Sequence, residues 1–139
     1  MLDINFFAPL ALIQIIVKKM IKNKSGSIVN ISSTSSEDCP IGRAAYTSSK
    51  IALEAMTKTL AYELGRYNIR ANCILPGITN TKLMKDNTNE NVLNEALKNI
   101  ALGRIAEPEE IANLVCFLCS NKASYITAQS IRVDGGLRI

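Results

Sequence analysis

No histidine occurs among the 139 residues, and no tryptophan. The first absence removes His-based triads, imidazole metal ligands and an imidazole general base. The second, with aromatics at only 5%, argues against base-stacking platforms and aromatic cages. An excess of one charge is missing too. Sixteen Lys and Arg against twelve Asp and Glu leave +4, weak support for a nucleic-acid partner. Cysteine is sparse: Cys39, Cys73, Cys116 and Cys119 are too few for a disulfide scaffold. Cys116 and Cys119 form a CxxC, but no second pair completes four ligands, and the apolar run 111–119 around them reads as a buried helix. All four are expected to be reduced thiols, with no metal bound.

A membrane-length apolar run is also missing. Residues 6–17 are apolar apart from Gln14, which is short for a bilayer span. Asp3 precedes them instead of a basic segment, Lys18, Lys19, Lys22 and Lys24 follow, and no small-residue cleavage site is evident. The run predicts a helix packed on a core, its lysines at the C-terminal end where cations suit the dipole. The expected setting is cytoplasmic, with no membrane and no nucleic acid.

What remains is the material of one folded domain: 47% hydrophobic and 20% charged residues over a length able to bury a core. Residues 3–22 predict a helix with few polar positions, and 27–32 a short β-rich strand. Residues 33–42, rich in Ser and holding Pro40 and Gly42, predict a loop. Residues 44–65 predict a long helix with Ala52, Met56, Leu60 and Leu64 at helical spacing, stopped by Gly65. A second strand covers 69–75 and closes on Pro76-Gly77. Residues 78–103 are polar and Asn-rich, with room for one or two short helices, and predict a flap belonging to the same domain. Glu107-Pro108-Glu109-Glu110 opens a third long helix, with Pro and acids in its first turn. A last strand covers 130–134 before Gly135-Gly136. Strands separated by helical crossovers imply a parallel sheet with helices on both faces. The predicted architecture is α/β with about three strands, fewer than such sheets usually have.

The chemistry concentrates in Tyr46-Thr47-Ser48-Ser49-Lys50. On a helix, i and i+4 share a face, so the phenol and the ammonium can point into one site, where a nearby cation favours phenolate. Ser33 lies upstream at the end of a predicted strand, and Pro76-Gly77 ends the next one. Functional groups in open α/β sheets gather at such strand ends. A serine in a Ser-rich stretch is otherwise a turn residue, and an exposed Tyr/Lys pair on a helix is otherwise without consequence.

These residues carry a resemblance. Gly26-Ser27-Ile28-Val29-Asn30-Ile31-Ser32-Ser33, Ala45-Tyr46-Thr47-Ser48-Ser49-Lys50, Ile69-Arg70-Ala71-Asn72, Pro76-Gly77 with Thr81, Arg104 to Ala112 and Val133-Asp134-Gly135-Gly136 follow one another as in the C-terminal part of a short-chain dehydrogenase/reductase. The chain resembles that family over essentially its whole length, residues 1–139 matching a single partial Rossmann-like domain. The resemblance implies hydride transfer between NAD or NADP and a carbonyl or secondary alcohol. Tyr46 would be the general acid/base, Lys50 would lower the Tyr46 pKa and hold the nicotinamide ribose, and Ser33 would hydrogen-bond the substrate oxygen. Asn5 would join a proton relay with Lys50. Pro76, Gly77, Ile78 and Thr81 would contact the nicotinamide, and the flap 78–103 would cover the substrate. The family also implies a homo-oligomer, a dimer or tetramer.

Two departures stand out. Family members carry an upstream half with a Gly-x-x-x-Gly-x-Gly phosphate turn, and none of the seven glycines here is spaced for it. Without that half the first strand would expose a hydrophobic edge. Ala128 stands where the family often has Gly, with little consequence expected. The competing reading is a non-catalytic remnant that only oligomerises or binds a partner.

Overall fold

A computed structural model describes residues 1–138. Among them, three parallel strands form one sheet in the order β1-β2-β3: β1 (Gly26–Ile31), β2 (Ile69–Pro76) and β3 (Ser130–Val133). The register pairs Ile28 with Ala71 and Asn30 with Cys73, and then Cys73 with Ser130. Alternation along each strand sends Ile28, Ala71 and Cys73 to one face and Val29, Ile74 and Ile131 to the other. Helices α1 (Ala8–Asn23) and α3 (Ala44–Leu64) cover the first face, where Ile13, Ala61 and Leu64 pack on Ile28, Ile69 and Ala71. Helix α6 (Pro108–Cys119) covers the second, packing Ile111 and Leu118 on Ile74. The expected α/β, Rossmann-like arrangement with helices on both faces is the one found.

The elements start and stop where local chemistry dictates. A π-helical turn at Asp3–Phe7 runs into α1, so the helical stretch extends from Asp3 to Asn23. It continues through the lysines, and at 21 residues it is long and apolar enough to cross a membrane by length and composition, contrary to the shorter span expected from residues 6–17. Here it lies on the sheet through Ile13, with Val17, Met20 and Ile21 beside it. Lys24 takes the left-handed conformation that ends α1, and Ser25 N–H bonds back to the Met20 carbonyl. α3 ends at Leu64 with Gly65 as its cap, but Gly65 keeps helical angles instead of turning left-handed. The helix tightens into a 3₁₀ turn over Gly65–Tyr67, and Asn68 is the left-handed residue, with φ of 58°. Glu107 and Glu110 close a capping box at the start of α6, with Pro108 at its first position.

Residues 33–42 are not all loop. Ser35–Asp38 forms a short helix, α2, into which the serines bond: Ser33 Oγ accepts from Ser35 N–H at 3.2 Å, and Ser36 Oγ donates to the Ser33 carbonyl at 2.6 Å. Arg132 on β3 holds α2 in place, donating to both oxygens of Asp38 at 2.8 and 3.2 Å and to Glu37 at 3.0 Å.

The inward stripe of α3 differs from the expected one. Ser49, Leu53, Thr57, Ala61 and Leu64 are buried, whereas Met56 and Leu60 flank the core. The polar members turn inward because each has a partner there. Thr57 Oγ1 donates to the Leu53 carbonyl at 2.7 Å and accepts from Asn30 Nδ2 at 2.8 Å.

Beyond α6, Arg70 donates to the carbonyls of Leu118 (2.7 Å) and Ser120 (3.1 Å), a cation at a helix C-terminus. Asn72 is fully buried. Its Nδ2 donates to the Ile126 carbonyl at 3.0 Å, and its Oδ1 accepts from Gln129 N–H at 3.1 Å. These two side chains pin the segment that delivers β3. Ala128 within that segment adopts φ of 60°, a left-handed conformation that a methyl group opposes, so it is not a neutral replacement for glycine.

Candidate functional site

The backbone continues the sheet past β1 before it turns away. Ser32 N–H donates to the Ile74 carbonyl at 2.8 Å and Thr34 N–H to the Pro76 carbonyl at 3.1 Å, which places Ser33 at the carboxyl end of β1 beside the end of β2. Helix α3 then passes this edge. Thr47 Oγ1 donates to the Ser35 carbonyl at 3.2 Å, tying the start of α3 to α2. Tyr46 and Lys50 follow one turn apart, both half-buried. Ser33, Tyr46 and Lys50 line one cavity of about 720 Å³.

Within it, Lys50 Nζ donates to the Ile31 carbonyl at 2.8 Å and lies 5.7 Å from the centre of the Tyr46 ring, inside cation–π range. Burial pushes the Lys50 amine below its ordinary pKa, while Cys73 and Glu54 act in the opposite direction. Ser33 Oγ accepts a hydrogen bond from Ser35, which leaves its own hydroxyl proton to donate.

Pro76, Gly77, Ile78 and Thr81 line the same cavity. Gly77 is required there: a Cβ on it would stand 2.7 Å from Asp134 Cβ and 2.8 Å from Asp134 Cα, so the end of β2 approaches the end of β3 more closely than a side chain allows. The strip after it is held by Ala106, whose N–H donates to the Ile78 carbonyl at 2.9 Å and whose carbonyl accepts from Asn80 N–H at 2.8 Å. Thr81 caps helix α4 (Lys82–Asn87), its Oγ1 accepting from Met84 N–H at 3.2 Å. Helix α5 (Glu90–Lys98) follows, capped by Asn89.

Asn5 is not part of the cavity wall. It sits in the π-helical turn, and its Nδ2 donates to Ser49 Oγ at 3.0 Å; that hydroxyl donates in turn to the Tyr46 carbonyl at 2.6 Å. Its side chain therefore reaches the backbone of Tyr46 through Ser49. π-turns recur at functional positions.

Sequence reasoning did not name the apolar wall. Met84, Val92 and Ala96 from the 78–103 segment line the cavity together with Ile111, Ala112 and Val115 of α6. Their spacing, Val92 to Ala96 and Ile111 to Val115, is the i, i+4 signal of an inward helix face. Nor did it single out Arg43 at the same cavity or Glu54 behind Lys50. The Cys116 and Cys119 thiols are free and exposed on α6, and among the described residues no group of three or more His, Cys, Asp or Glu could hold a metal.

Known proteins match this arrangement. Residues 1–138 fit the family described as enoyl-(acyl carrier protein) reductase. The chain is 44% identical over 122 residues to the 3-oxoacyl-(acyl-carrier-protein) reductase of Chlamydia muridarum, covering 88% of this chain and 49% of that protein. It is 42% identical over 139 residues to the human dehydrogenase/reductase SDR family member 4, covering 97% and 49%. Among solved structures, a 7α-hydroxysteroid dehydrogenase complexed with NADH and 7-oxo-glycochenodeoxycholic acid superposes with a TM-score of 0.93 at 34% identity, over 96% of this chain and 52% of that one. A short-chain type dehydrogenase/reductase from Mycobacterium ulcerans gives 0.93 at 32% identity, over 97% and 50%. The chain spans about half the length of the curated relatives it matches. By family match, sequence identity and fold, it belongs to the enoyl-(acyl carrier protein) reductase family of short-chain dehydrogenase/reductases.

Proposed function

We propose that this chain carries the catalytic and nicotinamide-facing part of an oxidoreductase that interconverts a carbonyl and a secondary alcohol with NAD or NADP. The observation that supports it best is the convergence of Ser33, Tyr46 and Lys50 on one cavity at the strand ends, together with Pro76, Gly77, Ile78 and Thr81. The donor set fits the cofactor's nicotinamide half. Lys50 and Tyr46 offer an ammonium and a phenol on one wall to vicinal ribose hydroxyls. Pro76 and Ile78 offer the ring an apolar rim, and Thr81 offers a hydroxyl to its carboxamide. Bound NAD(P)H supplies the hydride.

The chain's own residues do the rest. Ser33 donates its hydroxyl proton to the substrate oxygen and stabilises charge as it develops there. Tyr46 gives its phenolic proton to that oxygen in reduction and takes it back in oxidation. Lys50 holds the end of β1 through the Ile31 carbonyl and presents its positive charge beside the Tyr46 ring. Asn5 steadies the Tyr46 backbone through Ser49. Met84, Val92 and Ala96 of the 78–103 flap, with Ile111 and Val115 of α6, exclude water and favour a substrate with an apolar body. The reading includes a cytoplasmic setting, which four free thiols support.

A second reading, a module that chiefly associates with copies of itself, draws support from the open edge of β1 and from Ile4, Leu12 and Ile15, exposed on the outer side of the first helical stretch. Titration with NADH and with NADPH, followed by nicotinamide fluorescence, separates the two. Binding, with turnover abolished by Tyr46→Phe in a folded chain, is the expected result. No binding up to millimolar cofactor sinks independent dehydrogenase activity, and an active Tyr46→Phe chain sinks the role of Tyr46.

A further inference from the structure

Glu54 lies on the inward face of α3, one turn beyond Lys50, and only 8% of it is exposed. A carboxylate in such a place is costly unless its oxygens are satisfied. Both are. Ser32 Oγ donates to Oε1 at 2.6 Å and Ser130 Oγ donates to Oε2 at 2.9 Å. The shorter bond is in the range of a hydroxyl donating to an ionised carboxylate. Cys73 lies between these anchors in register, opposite Ser130 on one side and Asn30 on the other. One side chain of α3 thus ties the end of β1 to the start of β3.

We propose that Glu54 is a positioning residue for the Tyr46/Lys50 pair, fixing the strand end that carries Ser33 and supplying the negative charge that faces Lys50 from inside the fold. The inference rests on the oxidoreductase reading in taking Tyr46 and Lys50 as the reacting pair.

The geometry carries the first half. Ser32 precedes Ser33 directly, and its Oγ also stands 3.4 Å from the Lys50 carbonyl. Lys50 Nζ holds the preceding residue, Ile31, at 2.8 Å. Residues 31 and 32 are therefore both gripped by α3, through side chains one turn apart, and Ser33 inherits that register. The charges around Lys50 carry the second half. On α3 itself it is faced by Tyr46 and Glu54, and from β2 by Cys73. Burial opposes the Lys50 charge, and Cys73 and Glu54 favour it. Cys73 cannot act at neutral pH. Burial, outweighing its bond with Thr57 and the nearby charge of Lys58, pushes its thiol up to about 11, so it remains uncharged. Glu54 is left as the group that offsets the burial of Lys50.

The test follows the Lys50 side chain directly, by NMR of the chain labelled with ¹³C-lysine, its Cε signal assigned through Lys50→Arg. In Glu54→Gln the Lys50 titration midpoint is expected to fall by about one pH unit or more. Glu54→Asp, which keeps the charge, should restore most of that loss. A folded Glu54→Gln chain with the parent's midpoint overturns the proposal. Should Glu54→Gln fail to fold, the triple variant Ser32→Ala, Glu54→Leu, Ser130→Ala removes the whole polar cluster in favour of apolar packing. The same fall is expected there, and an unchanged midpoint again overturns the proposal. Neither readout uses cofactor or turnover. Failure of nicotinamide binding therefore counts against the oxidoreductase reading alone, and a fixed Lys50 midpoint counts against Glu54 alone.

Discussion

Asn72 offers the sharpest test of how this half-sheet is held together. It is fully buried on β2, and both ends of its amide are spent on one segment, the Ile126 carbonyl and the Gln129 N–H. Truncation to alanine leaves a donor and an acceptor without partners in a dry interior. Each orphaned group costs about 1–3 kcal/mol, so Asn72→Ala should lose roughly 2–6 kcal/mol, a large share of the stability of a domain this size. With a urea dependence of about 2 kcal/mol per molar, the unfolding midpoint should fall by roughly 1–3 M. The bonds from Ala128 N–H to the Ala71 carbonyl and from Arg70 to Leu118 and Ser120 remain, so the 126–129 segment loosens without detaching. Asn72→Asp sharpens the reasoning. It keeps an acceptor for Gln129 but turns a carboxylate oxygen on the Ile126 carbonyl. It should be at least as damaging at neutral pH, and should recover in acid, where the protonated carboxyl can donate. Urea melts at pH 7 and pH 4 decide the matter. A loss below about 1 kcal/mol for Asn72→Ala, or an undamaged Asn72→Asp, refutes the argument that these two bonds hold β3 to β2.

Three further outcomes concern the cysteines and Ala128. Cys39, Cys116 and Cys119 are exposed and Cys73 is buried, so a thiol reagent should consume three thiols quickly and the fourth only on unfolding. The Cys73 pKa is raised in the fold from 9.0 to about 11. Its contribution to stability is therefore complete below pH 9 and is lost as pH rises through about 11, by roughly 2–3 kcal/mol; Cys73→Ser should flatten that limb of the stability–pH curve. Ala128→Gly should raise the unfolding free energy by about 0.5–1 kcal/mol once glycine's greater freedom in the unfolded chain is set against the relieved left-handed strain; a lower denaturation midpoint contradicts the strain assigned to Ala128.

The elements most legible in the sequence are those whose signal is local. β1, β2 and β3 emerge from β-rich runs closed by turn residues, and the start of α6 from Pro108 and its acids, because those preferences belong to a few consecutive residues. Three features are not legible for the same reason in reverse. The Ser-rich stretch resembles a turn, yet it forms α2, held in place by Arg132, nearly a hundred positions away. Gly65 looks like a left-handed helix stop, yet that conformation falls to Asn68, whose side chain donates to the Lys24 carbonyl at 3.3 Å and so joins two helix ends distant in sequence. The inward face of α3 was expected to be its apolar stripe, and it is instead partly polar, because Asn30, Ser32 and Ser130 supply partners that no periodicity in the helix can reveal.

The candidate site divides along the same line. Tyr46 and Lys50 are visible as a pair because helical spacing alone puts them on one face. Ser33 and the Pro76 to Thr81 rim come together through the parallel register of β1 and β2, which the alternation of strands and helices implies. What spacing cannot supply is the environment that gives these groups their chemistry. The state of Lys50 depends on how deeply it is buried and on Glu54, which is secured by serines just past the end of β1 and at the start of β3. A motif can thus identify the Tyr46/Lys50 pair. Its environment is a property of the packed face behind it, where the buried Glu54 carboxylate bonds Ser32, next to Ser33, and bears on the charge of Lys50.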